Sequence, residues 1–93
     1  DDCRFERGTP TTLRDRYYGA ILERLHASAA EGGLLAGVNC WAWGGEAQPA
    51  HRDCQPGDPY CGDPAQEPQG LYSVFGDDAT VALLREAAQR LAR

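Results

Sequence analysis

Residues 34–43 read LLAGVNCWAW, a run that is nearly continuous in apolar side chains. The run is too short for a typical helix, and a pair of glycines bounds it on each side. Such a run is typical of a β-strand that is buried on both faces, as in a parallel sheet. Because side chains alternate along a strand, Trp41 and Trp43 are predicted to point to the same face.

Amphipathic helices are predicted on both sides of this strand. The first covers residues 11–31, where Thr12 and Asp15 resemble a capping box and a following pair of glycines is a natural stop. Its apolar residues recur at every fourth position: Leu13, Tyr17, Ile21 and Leu25. The second helix covers residues 77–92, and its first two residues, both aspartates, are predicted to cap it.

The order of elements is therefore helix, strand, long loop, helix. A single buried strand cannot satisfy its own backbone N–H and C=O groups, so it needs neighbours that this chain does not contain. The predicted fold class is α/β, and the chain is expected to be the end of a larger protein built from βα repeats, as a barrel or an open sheet.

Composition limits the function classes. The 93 residues carry a net charge of −5, which argues against nucleic acid and against an anionic membrane surface as partners. No apolar stretch is long enough to span a bilayer. The chain has no Met and its start does not resemble a signal peptide, so Asp1 is expected to be an internal cut or a processed end.

Residues 44–76 form a long predicted loop that holds five of the six prolines and six of the eleven glycines. Only residues 71–75, LYSVF, suggest a short extended piece. Loops of this length are usually functional. A glycosidase needs two carboxylates at a defined separation, but carboxylates in an acidic loop are usually solvated, so a catalytic pair is disfavoured here. The loop's acidic residues are Glu46, Asp53, Asp58, Asp63 and Glu67.

The four cysteines suit an oxidising compartment, so a secreted, extracellular or periplasmic location is expected. A zinc site at His51, Cys54 and Cys61 is disfavoured because the ligand spacing is unusual. A Cys54–Cys61 disulfide is the preferred prediction among three possible pairings. Of the other two cysteines, Cys40 is predicted to be a buried thiol and Cys3 to pair with a group outside the chain. The other histidine, His26, is predicted to lie at the surface. The sequence predicts no metal and no cofactor.

The two tryptophans are the candidate binding residues. The carboxyl ends of parallel strands carry the active site in a (β/α)₈ barrel, and Trp41 and Trp43 lie at that end of the predicted strand. An indole offers an apolar face to the C–H face of a pyranose and an N–H for a hydrogen bond. The alternative, that both are core residues, stays open at this point.

Three stretches in register resemble the C-terminal end of endo-β-1,4-mannanases of glycoside hydrolase family 5. They are PTTLRDRYY at 10–18, AGVNCWAWGG at 36–45 and GDPAQEPQGLYSVF at 62–75. The resemblance implies a (β/α)₈ TIM barrel in which residues 11–31 are helix 7, residues 34–43 strand 8 and residues 77–92 helix 8. Cys40 departs from the pattern, because relatives often carry an aromatic residue there.

The resemblance also implies a retaining mechanism with two catalytic glutamates, neither of which lies in this chain. Trp41 matches the family's sugar platform, and Trp43 is expected beside it as a second substrate-binding residue. The chain is thus predicted to be the C-terminal part of a secreted endo-β-1,4-mannanase that hydrolyses β-mannan backbones, with residues 44–76 lining the cleft. Glucomannan, galactomannan or another β-glycan stays possible as substrate.

The implied partners are the polysaccharide and the remainder of the barrel, and the 93 residues alone are expected to be inactive. Two other hypotheses stay open. One is a stand-alone carbohydrate-binding module, which the unpaired strand disfavours. The other is a truncated product without a function of its own.

Overall fold

Two helices and a short parallel sheet make up the part of the fold that the structure describes. The computed structural model describes residue 6 and residues 8–92. In chain order the elements are α1 (Thr12–Ala30), β1 (Trp43–Gly45), β2 (Val74–Phe75) and α2 (Thr80–Leu91). The predictions on Asp1 and Cys3 lie outside the described residues.

The prediction of a buried strand over residues 34–43 is wrong for most of its length. β1 begins only at Trp43, and residues 34–41 are exposed and form neither helix nor strand. Leu34, for example, is 101% exposed. A strand buried on both faces needs a neighbour at each edge and a layer on each face, and the described residues supply one neighbour, β2, at the end of the run.

That neighbour comes from residues 71–75, where the sequence suggests an extended piece. β1 and β2 pair in parallel, with Trp43 opposite Val74 and Gly45 opposite Phe75. Two further bonds precede the sheet at Ala42: the Val74 N–H donates to the Ala42 C=O at 2.7 Å, and the Ala42 N–H donates to the Tyr72 C=O at 3.4 Å. The expectation that the chain contains no partner for its strand is therefore corrected.

The N-cap of α1 lies one residue before the predicted cap. This N-cap is Thr11, not Thr12, and the Asp15 N–H donates to the Thr11 C=O at 2.8 Å. The Asp15 carboxylate accepts hydrogen bonds from the Thr11 and Thr80 hydroxyls, so it connects the starts of both helices. At the other end Gly32 has a φ of 70°, a left-handed conformation in which glycine is not strained.

The predicted aspartate caps of α2 are also corrected. Its N-cap is Ala79, without a side-chain capping bond. The Asp78 carboxylate points instead towards β2 and α1, where Oδ2 accepts the Phe75 N–H at 2.8 Å and Nη1 of Arg14 at 3.2 Å. The aspartate at this position thus holds elements together.

The described interior is small and largely polar. The buried hydrophobic residues are Leu25, Val74 and Phe75. Beside them lie six buried polar residues: Thr11, Asp63, Gln69, Ser73, Asp78 and Thr80. Hydrogen bonds rather than a large apolar core therefore join the loop to the helices. Within the described residues, neither helix has the length and hydrophobicity needed to cross a membrane.

Candidate functional site

Both candidate tryptophans present much of their surface to solvent. Trp41 is 57% exposed and Trp43 is 64% exposed, so neither is a core residue in this chain. Trp41 lies just before β1, and its peptide bond to Ala42 is cis. Its indole packs against Tyr72, with ring centroids 5.5 Å apart and planes inclined by 51°.

Trp41 and Tyr72 line a groove of about 510 Å³ between α1, Leu84 of α2 and two stretches without regular structure, residues 38–41 and 71–72. Most of the side chains that line it are apolar or aromatic, and α1 contributes Tyr17, Tyr18, Ile21 and Leu22. Trp43 is not among the lining residues. The structure thus brings Trp41 together with Tyr72, and it places the two predicted binding residues in different surroundings.

The long loop is tied down by two devices, of which the first is a disulfide. The predicted Cys54–Cys61 disulfide is confirmed, with Cα atoms 5.9 Å apart. It occupies both sulfur atoms, so the zinc site considered at these cysteines is not available in this form. Asp58, inside the disulfide loop, accepts a hydrogen bond from Nδ1 of His51 at 2.9 Å.

The second device is Asp63, which fixes the end of the loop beside β2. Its carboxylate accepts the Ser73 hydroxyl at 2.7 Å and the Tyr72 N–H at 3.3 Å. Gln69, fully buried, donates its Nε2 to the Asp63 C=O at 3.0 Å. These bonds hold the backbone of Tyr72, and so they position the ring on which Trp41 packs.

The loop carboxylates differ in surroundings, and two of them serve the loop itself. Asp63 and Asp58 accept hydrogen bonds within the loop, as described above. Asp53 pairs with its neighbour Arg52 at the surface, at 3.4 Å. Glu67 contacts the Tyr72 hydroxyl, and the hydrogen bond and negative charge of that carboxylate raise the pKa of Tyr72.

Cys40 corrects a further prediction. It is an exposed free thiol and not a buried one, because the strand that was expected to bury it does not form at this position. Cys40 lines the groove with Tyr18. Partial burial there raises the pKa of the Cys40 thiol and is also the main cause of the raised pKa of Tyr18.

Two residues that sequence reasoning missed organise this site. Arg14 donates to the C=O groups of Gly70 and Leu71, each at 2.9 Å, and so ties α1 to the loop next to Tyr72. The sequence does indicate such a role for Arg14, because it is a charged residue on the same helical face as Tyr18, Ile21 and Leu25. The sequence indicates Tyr72 more weakly, only as an aromatic residue within residues 71–75, the predicted extended piece.

The comparisons with known proteins agree with the resemblance. Residues 1–93 match the model of the family described as GH family 5 beta-mannosidase-like. A solved structure, a mutant glycoside hydrolase family 5 mannosidase from Rhizomucor miehei, matches with 31% identity and a TM-score of 0.77. The match covers 96% of this chain and 21% of that protein, so the chain spans about a fifth of its relative.

Among curated proteins, none matches the chain. The family match extends over the whole chain, and the structural match covers 96% of it. Membership of glycoside hydrolase family 5, which the three motifs led us to expect, is thereby confirmed. This chain belongs to the β-mannosidase-like part of glycoside hydrolase family 5.

Proposed function

We propose that this chain forms the C-terminal part of a retaining glycoside hydrolase that cleaves β-1,4-linked mannan. In this proposal residues 11–31 are helix 7 of a (β/α)₈ barrel, residues 34–43 lead into strand 8 and residues 77–92 are helix 8. The catalytic glutamates lie outside the 93 residues. The rest of the barrel would supply the second neighbour that the segment before β1 lacks.

The observation that carries the proposal is the exposed Trp41 indole in a chain that matches the family from end to end. A pyranose ring would stack its C–H face on this indole, with Tyr72 holding the indole from the side. Trp43, at the start of β1, would contact the sugar less closely because it stands outside the groove. The loop of residues 44–76 would line the cleft.

The test uses the enzyme that contains this chain, with β-1,4-mannohexaose as substrate. Trp41→Ala is expected to lower kcat/KM at least tenfold, a loss of about 1.4 kcal/mol of transition-state stabilisation. Leu13→Ala, which removes an apolar residue of similar exposure from α1 outside the groove, is the matched control and is expected to change kcat/KM less than twofold. Equal effects of the two substitutions would refute the role of Trp41.

The 93 residues alone are expected to leave mannohexaose intact. Hydrolysis by this polypeptide would show that it holds catalytic carboxylates of its own and would overturn the placement in the barrel. Binding of mannan without hydrolysis, lost in Trp41→Ala, would favour the carbohydrate-binding module instead.

Removal of single mannose units is the second candidate activity. Two findings favour it: the matching family is beta-mannosidase-like, and the similar solved structure is that of a mannosidase. Endo-cleavage yields a series of shorter oligosaccharides from mannohexaose, whereas exo-cleavage yields mannose from the start. Product analysis at low conversion therefore separates the two activities.

We also propose that the protein is secreted. The Cys54–Cys61 disulfide supports this location, because disulfides persist in oxidising compartments. Detection of the protein in the culture medium of its source cells, with this disulfide intact by mass spectrometry without reduction, is the expected result. Confinement to the cytosol would contradict it.

A further inference from the structure

The hydroxyl group of Tyr72 is a polar group at an aromatic groove, and the stacking of a sugar on Trp41 does not use it. The Tyr72 ring lines the same groove as Trp41 and is 40% exposed. The centroids of the two rings lie 5.5 Å apart, and their planes are inclined by 51°. The two rings therefore form a corner, and a ligand that lies on the face of Trp41 has its rim beside Tyr72.

A pyranose suits such a corner. Its C–H groups form the apolar face that stacks on an indole, whereas its hydroxyl groups stand around the rim of the ring. A wall beside the indole therefore meets hydroxyl groups. These need a polar partner there, because a polar group that is removed from water without a partner costs free energy. A tyrosine offers both an apolar ring and a hydroxyl that donates and accepts.

Glu67 determines where the Tyr72 hydroxyl donates its proton. The Glu67 carboxylate accepts a hydrogen bond from the Tyr72 phenol. Its Oε2 atom is buried and has no hydrogen-bond partner among the residues that the structure describes. The Glu67 N–H donates to the Pro64 C=O at 2.9 Å, so a turn holds the backbone of Glu67. Because the phenol proton is directed to Glu67, the lone pairs of the phenol oxygen are left for another donor.

The backbone of Tyr72 is fixed as well. Its N–H donates to the Asp63 carboxylate at 3.3 Å, and its C=O accepts the N–H of Ala42 at 3.4 Å. The second bond ties Tyr72 to the residue that follows Trp41. The indole and the phenol are therefore held in place relative to each other without a ligand, and such preorganised groups lose little conformational freedom on binding.

We propose that the Tyr72 hydroxyl accepts a hydrogen bond from a hydroxyl group of the pyranose that stacks on Trp41, and that Glu67 is the residue that positions it. This inference rests on the proposed function, because it needs the sugar on Trp41. The negative charge of Glu67 polarises the phenol O–H, which makes the phenol oxygen a stronger acceptor. Tyr72 then distinguishes a hydroxyl group from a hydrogen atom at one position of the sugar.

The experiment measures kcat and KM separately for mannohexaose, with the enzyme that contains this chain. Tyr72→Phe keeps the ring that packs on Trp41 and removes the hydroxyl. It is expected to raise KM about fivefold and to change kcat less than twofold, because a bond to a group that does not react is equally strong in the ground state and the transition state. Tyr60→Phe, which removes a phenol hydroxyl outside the groove, is the matched control and is expected to change KM less than twofold.

Substitutions of Glu67 separate positioning from damage to the fold. Glu67→Leu removes the acceptor and is expected to raise KM about fivefold, whereas Glu67→Gln keeps an acceptor oxygen and is expected to raise KM about twofold. Tyr72→Phe combined with Glu67→Leu is expected to have the same KM as Tyr72→Phe alone, because Glu67 acts through the hydroxyl. Independent effects on the fold would add instead.

The outcomes separate this inference from the proposed function. Equal KM values of Tyr72→Phe and Tyr60→Phe, with kcat/KM of Trp41→Ala still at least tenfold lower, would overturn the role of Tyr72 and leave the stacking on Trp41 in place. Additive effects of Tyr72→Phe and Glu67→Leu would overturn the role of Glu67. An unchanged kcat/KM in Trp41→Ala would refute the stacking and, with it, this inference.

Discussion

Asp63 shows how a single acidic residue can organise a loop that has almost no regular structure. It is 3% exposed, and its carboxylate accepts hydrogen bonds from Ser73 and Tyr72. Its backbone exchanges two further bonds with the side chain of Gln69. The loop therefore depends on this carboxylate for the position of Tyr72 and, through Tyr72, of Trp41.

Replacing Asp63 by Asn is expected to lower the free energy of unfolding of the chain by about 2 kcal/mol, because hydrogen bonds to a charged group are lost. For a domain of this size that corresponds to a fall in Tm of about 10 °C. Thermal denaturation followed by circular dichroism measures it. Asp53→Asn is the control, since Asp53 is exposed, and a Tm that falls equally in both variants would contradict the role of Asp63.

The contact between Glu67 and Tyr72 predicts a pH effect. The carboxylate raises the pKa of the Tyr72 phenol, so the neutral phenol persists to higher pH than in an ordinary tyrosine. Its contribution to stability is present below the ordinary tyrosine pKa and is lost as pH rises through the raised value. Glu67→Gln is expected to return the pKa of Tyr72 towards 10.0 in an NMR titration. Glu46→Gln is the control, and an unchanged Tyr72 titration in Glu67→Gln would refute the contact.

Arg14 joins three elements of the structure at one point. It bonds Asp78 at the start of α2 and the C=O groups of residues 70 and 71, before β2. The side chain of Arg14 is 11% exposed and that of Asp78 is fully buried. The relative position of α1, α2 and the end of the loop therefore depends on this ion pair.

Arg14→Met keeps a long side chain at the same position but leaves the buried Asp78 charge without its guanidinium. We expect the free energy of unfolding to fall by about 3 kcal/mol, because removing one partner of a buried ion pair leaves an uncompensated charge. Urea denaturation measures it. Arg16→Met, at an exposed position on the same helix, is expected to change stability by less than about 0.5 kcal/mol. A small effect of Arg14→Met would show that Asp78 is stabilised by other contacts.

The helices could be predicted from the sequence because their periodicity is a local property. α1 and α2 fall within the predicted ranges 11–31 and 77–92. The strand could not be predicted with its correct length, because strand pairing depends on residues distant in sequence or outside the chain. The disulfide was predictable from cysteine spacing, whereas the contacts of Asp78 and Arg14 reach over more than fifty residues and leave no periodic signal.

At the scale of the whole molecule, the chain exposes several large apolar side chains, while its described interior is small and largely polar. Leu34, Leu35 and Val38 are all exposed, and so are both tryptophans. The described Cα atoms extend over 48 × 22 × 20 Å, an elongated shape. From the sequence, the candidate site was predictable only as tryptophans at the end of a strand. The groove beside Trp41 was not predictable, because α1 forms it together with residues 38–41 and 71–72, which have no regular structure.

The isolated chain is expected to self-associate as its concentration rises, because contiguous exposed apolar surface favours association. Light scattering over a concentration series measures this effect. Leu35→Lys combined with Val38→Lys is expected to shift the chain towards monomer, while Arg24→Lys, a conservative change on α1, leaves the association unchanged. A strictly monomeric wild-type chain would contradict the prediction.

The hydrogen bonds and the disulfide of the long loop also affect how readily a protease can cleave this protein. Arg52 is a trypsin target with a side chain that is 56% exposed, yet its C=O accepts the Gln69 N–H at 2.6 Å and the disulfide starts two residues later. A protease must bind its target as a free extended strand. The hydrogen bond from Gln69 and the nearby disulfide both restrain the backbone at Arg52. The peptide bond after Arg52 is therefore expected to resist trypsin as long as the disulfide is intact, although the arginine side chain is accessible.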